Sequence, residues 1–387
     1  MIIVGVVGSG AMGSGIAQVA ATAGHQVLLY DKQPDALRRA QTELTRIMDR
    51  QVEKGRLTAA EAAAIQQRIC YTLDQADLSV AGLVIEAIVE RLDVKKALFE
   101  ELEGLLREDA VLATNTSSLA VTAIAAACKK PGRVLGLHFF NPAPLMALVE
   151  VIPAVQTDPT TTQWALQLMQ DWGKIPVLAK DTPGFIVNRV ARPFYGEALR
   201  IYDEGLADIA TIDWAMTELG GFRMGPFALM DYIGHDVNYL VTETVFTAFY
   251  FDPRYKPSFT QQRLVDAGYL GRKTGRGFYD YASGATPPLP NTDPALGQAI
   301  LHRILVMLIN EAADAVYLGV ATPAAIELAM TRGVNYPRGL LAWANELGLP
   351  YVVAQLDAHY REYHEERYRC SPLLRRLARE GQHFAGL

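Results

Sequence analysis

A chain of 387 residues, half of them hydrophobic and a fifth charged, is long enough for two or three domains and has the composition of a packed globular protein, neither disordered nor fibrous. Its 36 Lys and Arg against 42 Asp and Glu give a formal charge of −6, which argues against nucleic acid as the main partner, because phosphate contacts need a basic surface. Cys70, Cys128 and Cys370 are scattered without a CxxC spacing, predicting buried thiols in a reducing compartment and no metal knuckle, and with no leader-like start and no apolar run of the ~20 residues a membrane span needs, the expected location is cytoplasmic.

The chain opens on a β-branched run from Ile2 to Val7, a glycine turn, an alanine-rich helical segment and a second apolar run ending at Asp31. This is a βαβ unit of roughly 30 residues. The turn, Gly8-Ser9-Gly10-Ala11-Met12-Gly13, is GxGxxG between a strand and a helix, where glycine lets backbone N–H groups approach a pyrophosphate at the helix N-terminus. Gly8, Gly10, Ala11, Met12 and Gly13 are therefore candidate cofactor-binding residues. Asp31 closes the next strand, where a carboxylate can accept from ribose hydroxyls and repel a 2′-phosphate, which favours NAD over NADP.

Residues 35–67 read as two antiparallel helices broken at Lys54-Gly55-Arg56. Short strands are expected at 82–86, 111–115, 134–138 and 148–152, and helical segments between the first three predict a parallel sheet covered on both faces. His138 ends its strand on the edge where such sheets bind ligands, and an imidazole, ordinarily titrating near ~6.5, exchanges protons near neutrality. Glu150, inside an apolar strand twelve residues on, needs a partner if buried, and a chain reversal at 141–144 would bring it beside His138.

From Phe185 onward the pattern is almost wholly helical. Shifting the chain by 114 positions aligns residues 189–234 with 303–348 without a gap, and about 13 of the 46 pairs are identical, among them Glu197 with Glu311 and Gly225 with Gly339. The stretch 283–294 between the copies is rich in Pro, Gly, Ser and Thr. The expected organisation is a dinucleotide-binding domain over 1–182 with a helical-hairpin insertion, a helical domain over 183–282, a linker over 283–296 and a second helical domain over 297–387.

Asn115-Thr116-Ser117-Ser118, His138-Phe139-Phe140-Asn141-Pro142-Ala143-Pro144, Glu150, Pro183-Gly184-Phe185-Ile186-Val187-Asn188-Arg189, Met224-Gly225-Pro226 and Gly271-Arg272-Lys273-Thr274-Gly275-Arg276-Gly277-Phe278-Tyr279 resemble, in order, the signatures of the 3-hydroxyacyl-CoA dehydrogenases. The resemblance runs from Ile2 to about Tyr281, and the repeat extends it nearly to the C-terminus. His25 to Asp31, Asn188 to Pro193 and Gly333-Val334-Asn335-Tyr336-Pro337 are most similar to the 3-hydroxyadipyl-CoA branch of phenylacetate catabolism, whose members carry a longer insertion between the helical copies.

The resemblance implies an α/β Rossmann-type NAD-binding domain followed by two tandem all-helical C-terminal domains. It implies NAD-dependent oxidation of an (S)-3-hydroxyacyl-CoA to the 3-oxoacyl-CoA, and the reverse, on a short-chain or dicarboxylic substrate such as 3-hydroxybutyryl-CoA or 3-hydroxyadipyl-CoA. His138 would be the general base and Glu150 its partner, with Ser117 and Asn188 orienting substrate and cofactor. Glu86 and Asn115 would lie beside the cofactor, and Asn141 and Lys54 on the substrate side, where Lys54, Arg50 or Arg56 could meet the CoA phosphates. Glu86, Ser117 and Asn188 also fit capping roles, the three hairpin cations fit a solvated cluster, and residues 272–276 fit a structural turn better than an anion site.

Arg192, one helical turn beyond Asn188, suits either a carboxylate at the far end of the acyl group or an ordinary ion pair. A hydroxy acid without CoA, or a carnitine-like alcohol, is the competing substrate, and a non-catalytic NAD-binding protein related as crystallins are is the competing class. The intact set Ser117, His138, Glu150 and Asn188 speaks against the latter. The two helical copies are expected to pair inside the chain as a pseudo-dimer, leaving other surfaces for a homo-oligomer.

Overall fold

The computed structural model describes residues 2–386, and the chain divides into two compact units, Met1–Thr182 and Pro183–Leu387. In the first, β1 (Ile3–Val7), β2 (Gln26–Tyr30), β3 (Ile69–Thr72), β4 (Leu83–Glu86), β5 (Val111–Thr114), β6 (Val134–Phe139), β7 (Leu148–Pro153) and β8 (Ile175–Leu178) form one sheet in the order β3-β2-β1-β4-β5-β6-β7-β8. The strands from β1 to β6 run parallel, β7 turns back against β6, and β8 runs with β7. Strand order reverses between β1 and β4, which opens a crevice at their carboxyl ends. The central strands are unbroken apolar runs, Val4, Val6, Leu83, Ile85, Leu135 and Leu137 among them, because helices cover both faces.

Those helices are α1 (Ala11–Thr22), α2 (Pro34–Glu53), α3 (Ala59–Gln67), α4 (Leu92–Leu105), α5 (Val121–Ala125) and α6 (Pro159–Asp171). The α2–α3 hairpin turns at Gly55, whose φ of +65° is left-handed, and restarts on a capping box in which the Thr58 side chain and Glu61 bond reciprocally. Strand β3 was not foreseen: Ile69-Cys70-Tyr71-Thr72 is a short edge strand in which Ile69 and Thr72 are buried and Cys70 is exposed. The expectation of three buried thiols is corrected accordingly. Burial of the other two pushes the Cys128 thiol up to about 12 and that of Cys370 to about 11.

The second unit is helical: α7 (Val187–Val190), α8 (Arg192–Asp203), α9 (Ile209–Trp214), α10 (Pro226–Ile233), α11 (His235–Ala248), α12 (Phe259–Asp266), α13 (Pro294–Tyr317), α14 (Pro323–Leu328), α15 (Leu340–Leu347), α16 (Leu349–Tyr363) and α17 (Pro372–Glu380). Asp293 caps α13 by accepting from the Ala295 N–H, so the helix begins inside the expected linker. Positions 114 apart build matching parts. Both α9 and α14 pass into a π-helical turn, Ala215–Leu219 and Ala329–Gly333. Asp213 caps α10 by accepting from the Phe227 and Ala228 N–H groups, as Glu327 caps α15 through Leu341 and Ala342.

The matching fails where the residues differ in kind. Pro193 lacks the N–H a continuous helix needs and separates α7 from α8, whereas Met307 at the equivalent place lets α13 run unbroken over 24 residues. Helix α13 packs on α8, and the rings of Phe222 and Tyr336, at equivalent positions, meet edge to face with centroids 5.0 Å apart. Among the described residues no helix is long and apolar enough to cross a membrane.

Candidate active site

The glycine turn follows β1 and opens α1 beside the β1–β4 crevice. Gly8 has φ +99°, and a Cβ there would lie 2.6 Å from the Ala87 carbonyl; one on Gly13 would lie 1.8 Å from the Gly8 carbonyl. Both must be glycine for the turn to close. Gly10 faces open space, and among the described residues no side chain caps α1, so the N–H groups of Ala11 and Met12 are presented to an incoming anion at the positive end of the helix.

Asp31, after β2, accepts from the Ser9 N–H and hydroxyl at 2.8 Å and from the Gln33 N–H at 3.0 Å. A largely apolar cleft of about 700 Å³ runs from Gly8, Gly10 and Asp31 past Ile88 to Val94 and Leu98. A bare anion-binding helix end, a carboxylate at the next strand and an apolar slot between them fit the pyrophosphate, ribose and adenine of a dinucleotide.

Glu86 ends β4 fully buried, and its carboxylate accepts from the Ile88 N–H at 2.7 Å, Lys95 Nζ at 2.5 Å and Thr114 Oγ1 at 2.6 Å. These bonds brace the ends of β4 and β5 from inside. Asn115, at the end of β5, accepts from the Phe139 N–H at 2.8 Å and so ties β5 to the strand that carries His138.

Glu90 was missed in the sequence. Its Oε1 accepts from Thr116 Oγ1 at 2.5 Å, the Ser117 N–H at 2.9 Å and the Ser118 hydroxyl at 3.2 Å, while Oε2 lies 3.2 Å from the buried Lys95 ammonium. Burial pushes the Glu90 carboxyl up, but the Lys95 charge and the Thr116 and Ser117 bonds outweigh it, and the net shift is downward. The signal was two acids four residues apart leaving a buried strand at its ligand edge, with a lysine five further on. Ser117 is thus positioned by Glu90 as well as by its own loop.

His138 and Glu150 stand directly opposite each other in the antiparallel β6–β7 pair. His138 Nδ1 lies 2.6 Å from Glu150 Oε2; the imidazole is 6 % exposed and the carboxylate not at all. A buried carboxylate at that distance fixes the tautomer with the proton on Nδ1 and compensates the positive charge the ring acquires when Nε2 takes a proton. The Phe140 ring tilts against the imidazole at 4.5 Å, and residues Ala143 and Pro144 of the following loop close on Gly15 of α1, where an added Cβ would meet them at 3.2 and 3.3 Å. The histidine strand is thereby keyed to the glycine-turn helix.

The remaining candidates lie on other elements. Asn141 is exposed in the loop after β6, and Arg50, Lys54 and Arg56 are exposed around the tip of the α2–α3 hairpin. Asn188 lies in α7 of the second unit. Lys273 pairs with Asp236 at 2.5 Å, and Asp231 accepts from the Phe278 and Tyr279 N–H groups, which leaves residues 271–279 a structural turn.

Residues 3–182 match the family description "3-hydroxyacyl-CoA dehydrogenase, NAD binding domain", and residues 184–281 and 300–384 each match "3-hydroxyacyl-CoA dehydrogenase, C-terminal domain". The 3-hydroxyadipyl-CoA dehydrogenase of Escherichia coli K12 is 40% identical over 460 aligned positions, covering 97% of both chains. A 3-hydroxybutyryl-CoA dehydrogenase of Clostridioides difficile is 42% identical and covers 71% of this chain and 98% of its own. Among solved structures, one described as a 3-hydroxybutyryl-CoA dehydrogenase from Escherichia coli K12 superposes with a TM-score of 0.92 at 38% identity, over 98% of each chain.

Proposed function

The chain belongs to the 3-hydroxyacyl-CoA dehydrogenase family and oxidises short-chain 3-hydroxyacyl-CoA with NAD, and from that premise we propose that its preferred substrate is a six-carbon dicarboxylic acyl group, as in 3-hydroxyadipyl-CoA, handled by the His138–Glu150 pair. The buried 2.6 Å contact between His138 Nδ1 and Glu150 carries the assignment of the base. His138 Nε2 takes the proton of the 3-hydroxyl while Glu150 holds the Nδ1 proton and the orientation of the ring. Bound NAD supplies the hydride acceptor. Ser117, held by Glu90, and Asn188 orient the reacting ends, and the glycine turn with Asp31 holds the dinucleotide.

The substrate class is supported by a relative named for 3-hydroxyadipyl-CoA that matches along nearly the whole of both chains, including the second helical copy. NADH formation measured on 3-hydroxybutyryl-, 3-hydroxyhexanoyl- and 3-hydroxyadipyl-CoA tests the reading. The highest kcat/KM is expected on the adipyl substrate; a preference for hexanoyl would reverse the dicarboxylic assignment.

We infer further that the helical unit is a tandem duplication whose copies pair as a pseudo-dimer in one chain, with 1–182, 183–282 and 297–387 as the three domains. Reciprocal contacts support it: Arg189 donates to Glu311, and Arg303, 114 positions on, donates to Glu197. Such exchange is how a two-fold interface is built. The unpaired cysteines support a cytoplasmic setting.

A further inference from the structure

Five arginines of the helical unit are largely buried, and four of them are neutralised. Arg189 pairs with Glu311 at 2.6 Å, Arg303 with Glu197 at 2.6 Å, Arg367 with Glu197 at 3.0 Å and Arg254 with Asp314 at 2.7 Å. Arg192 is the exception. It is 6 % exposed and has no carboxylate within 4.0 Å among the described residues. Its Nε donates to the Asn188 carbonyl at 2.9 Å and one Nη to Thr242 Oγ1 at 3.1 Å, while its guanidinium lies over the Tyr195 ring at 4.9 Å. These neutral groups satisfy part of its fork and none of its charge, and burial without a counter-ion drives its pKa downward.

A second buried group in reach of that charge is also unsatisfied. The Tyr336 hydroxyl, in a residue 7 % exposed, has no hydrogen-bond partner among the described residues, and it feels the Arg192 charge. The repeat shows that packing demands neither group. The position equivalent to Arg192 is Val306, itself buried, and the position equivalent to Tyr336 is Phe222, whose ring makes the same edge-to-face contact without a hydroxyl. Each copy therefore carries a polar addition to an otherwise apolar position, and the two additions converge.

We propose that Arg192, with the Tyr336 hydroxyl contributed by the second helical copy, is the receptor for the carboxylate at the far end of a dicarboxylic acyl group. The guanidinium is tied to the backbone of Asn188, the residue of this unit assigned to the reacting end, with Nε 2.9 Å from its carbonyl oxygen. A carboxylate three C–C bonds of about 1.5 Å from the carbinol carbon needs a receptor close to the reacting end. An Arg fork and a hydroxyl donor are the groups that recognise a carboxylate in a dry site. The second copy would thereby take part in choosing the substrate.

The proposal rests on the dehydrogenase reading above, so the test compares two substrates of equal length, 3-hydroxyadipyl-CoA and 3-hydroxyhexanoyl-CoA, which differ only in a carboxylate against a methyl. The ratio of their kcat/KM values should fall about tenfold or more in Arg192→Met, recover in part in Arg192→Lys, and fall several-fold in Tyr336→Phe, mainly through KM for the adipyl substrate. Equal losses on both substrates, or an unchanged ratio in the variants, would overturn it. Tyr336→Phe removes one oxygen and keeps the ring, so it decides the matter if Arg192→Met does not fold. A wild-type enzyme inactive on both substrates would instead refute the dehydrogenase reading and the receptor with it.

Discussion

Arg189 of α7 donates its Nε–H to Glu311 Oε1 of α13 at 2.6 Å, with both side chains only 2 % exposed. Tyr255 donates to the same oxygen at 2.5 Å, and Tyr368 does the same for Glu197 in the mirrored cluster, at 2.6 Å. Charges this deeply buried are held by one another, and removing one partner strands the other. Glu311→Ala should destabilise the helical unit by about 3–5 kcal/mol, and Glu197→Ala by a similar amount. Chemical denaturation checks this; a cost below about 1 kcal/mol, the worth of a surface pair, would show that the clusters do not hold the copies together.

At the proposed site of chemistry, His138→Gln should keep NAD binding and lower kcat by roughly 10²–10⁴. Glu150→Gln should be comparably damaging, because the ring loses the carboxylate that compensates its positive form. Steady-state NADH formation with dinucleotide binding measured separately checks both. Turnover near wild type in His138→Gln would remove the residue from the reaction.

The glycine turn, Asp31 and His138, next to the end of its strand, were legible because each sits near the edge where the sheet binds ligands. Glu150 was legible as a carboxylate in an apolar strand, which needs a partner, and the structure supplies His138 directly across the ladder. Glu90 was only half legible: the spacing of Glu86, Glu90 and Lys95 marks an acid at the ligand edge, but its contacts with Thr116, Ser117 and Ser118, 26 to 28 positions away, leave no local pattern. Strand β3 escaped because four residues at a sheet edge, only two of them buried, carry no distinct periodicity. The isolation of Arg192 was equally hidden: the sequence left an ion pair open, and only the packed unit shows the other buried arginines paired and this one not.

Cofactor choice should turn on Asp31. Its Oδ2 also holds Ser9, so Asp31→Asn, which keeps a side-chain acceptor for the turn and removes the charge, is the cleaner variant. The kcat/KM ratio of NADP to NAD should rise about tenfold, since the repulsion of a 2′-phosphate is gone. A ratio that does not move would place the ribose elsewhere.

Stability of the helical unit should carry a pH signature from Asp213. Burial raises its carboxyl from 3.8 to about 6, outweighing the bonds from the Phe227 and Ala228 N–H groups and the Tyr279 hydroxyl. The folded protein then holds this proton more tightly than the unfolded chain, so the contribution is fully present below about pH 4 and is lost as pH rises through about 6. Glu327, the equivalent cap, is shifted in the same direction by the same cause. Between pH 4 and 6, Tm of the wild type should therefore fall relative to that of Asp213→Asn; parallel curves would mean that Asp213 does not titrate in this range.

Ending the chain after Ser283 tests the pseudo-dimer directly. The truncation removes Glu311 and Asp314, so Arg189 loses the carboxylates that neutralise it and Arg254 keeps only Asp252, and it uncovers the Phe194 and Phe222 rings that pack on Tyr336. A monomer would have to hydrate these cations and expose that apolar face, both costly. A second truncated chain can restore the pairing, since Arg189 would find Glu197 of its partner as it now finds Glu311, although at micromolar concentration the association no longer has the advantage of a tether. Dimers or aggregates are therefore expected by light scattering, with dimers dissociating on dilution. A truncated chain that remains a stable, active monomer would show that the second copy is not there to cover the first.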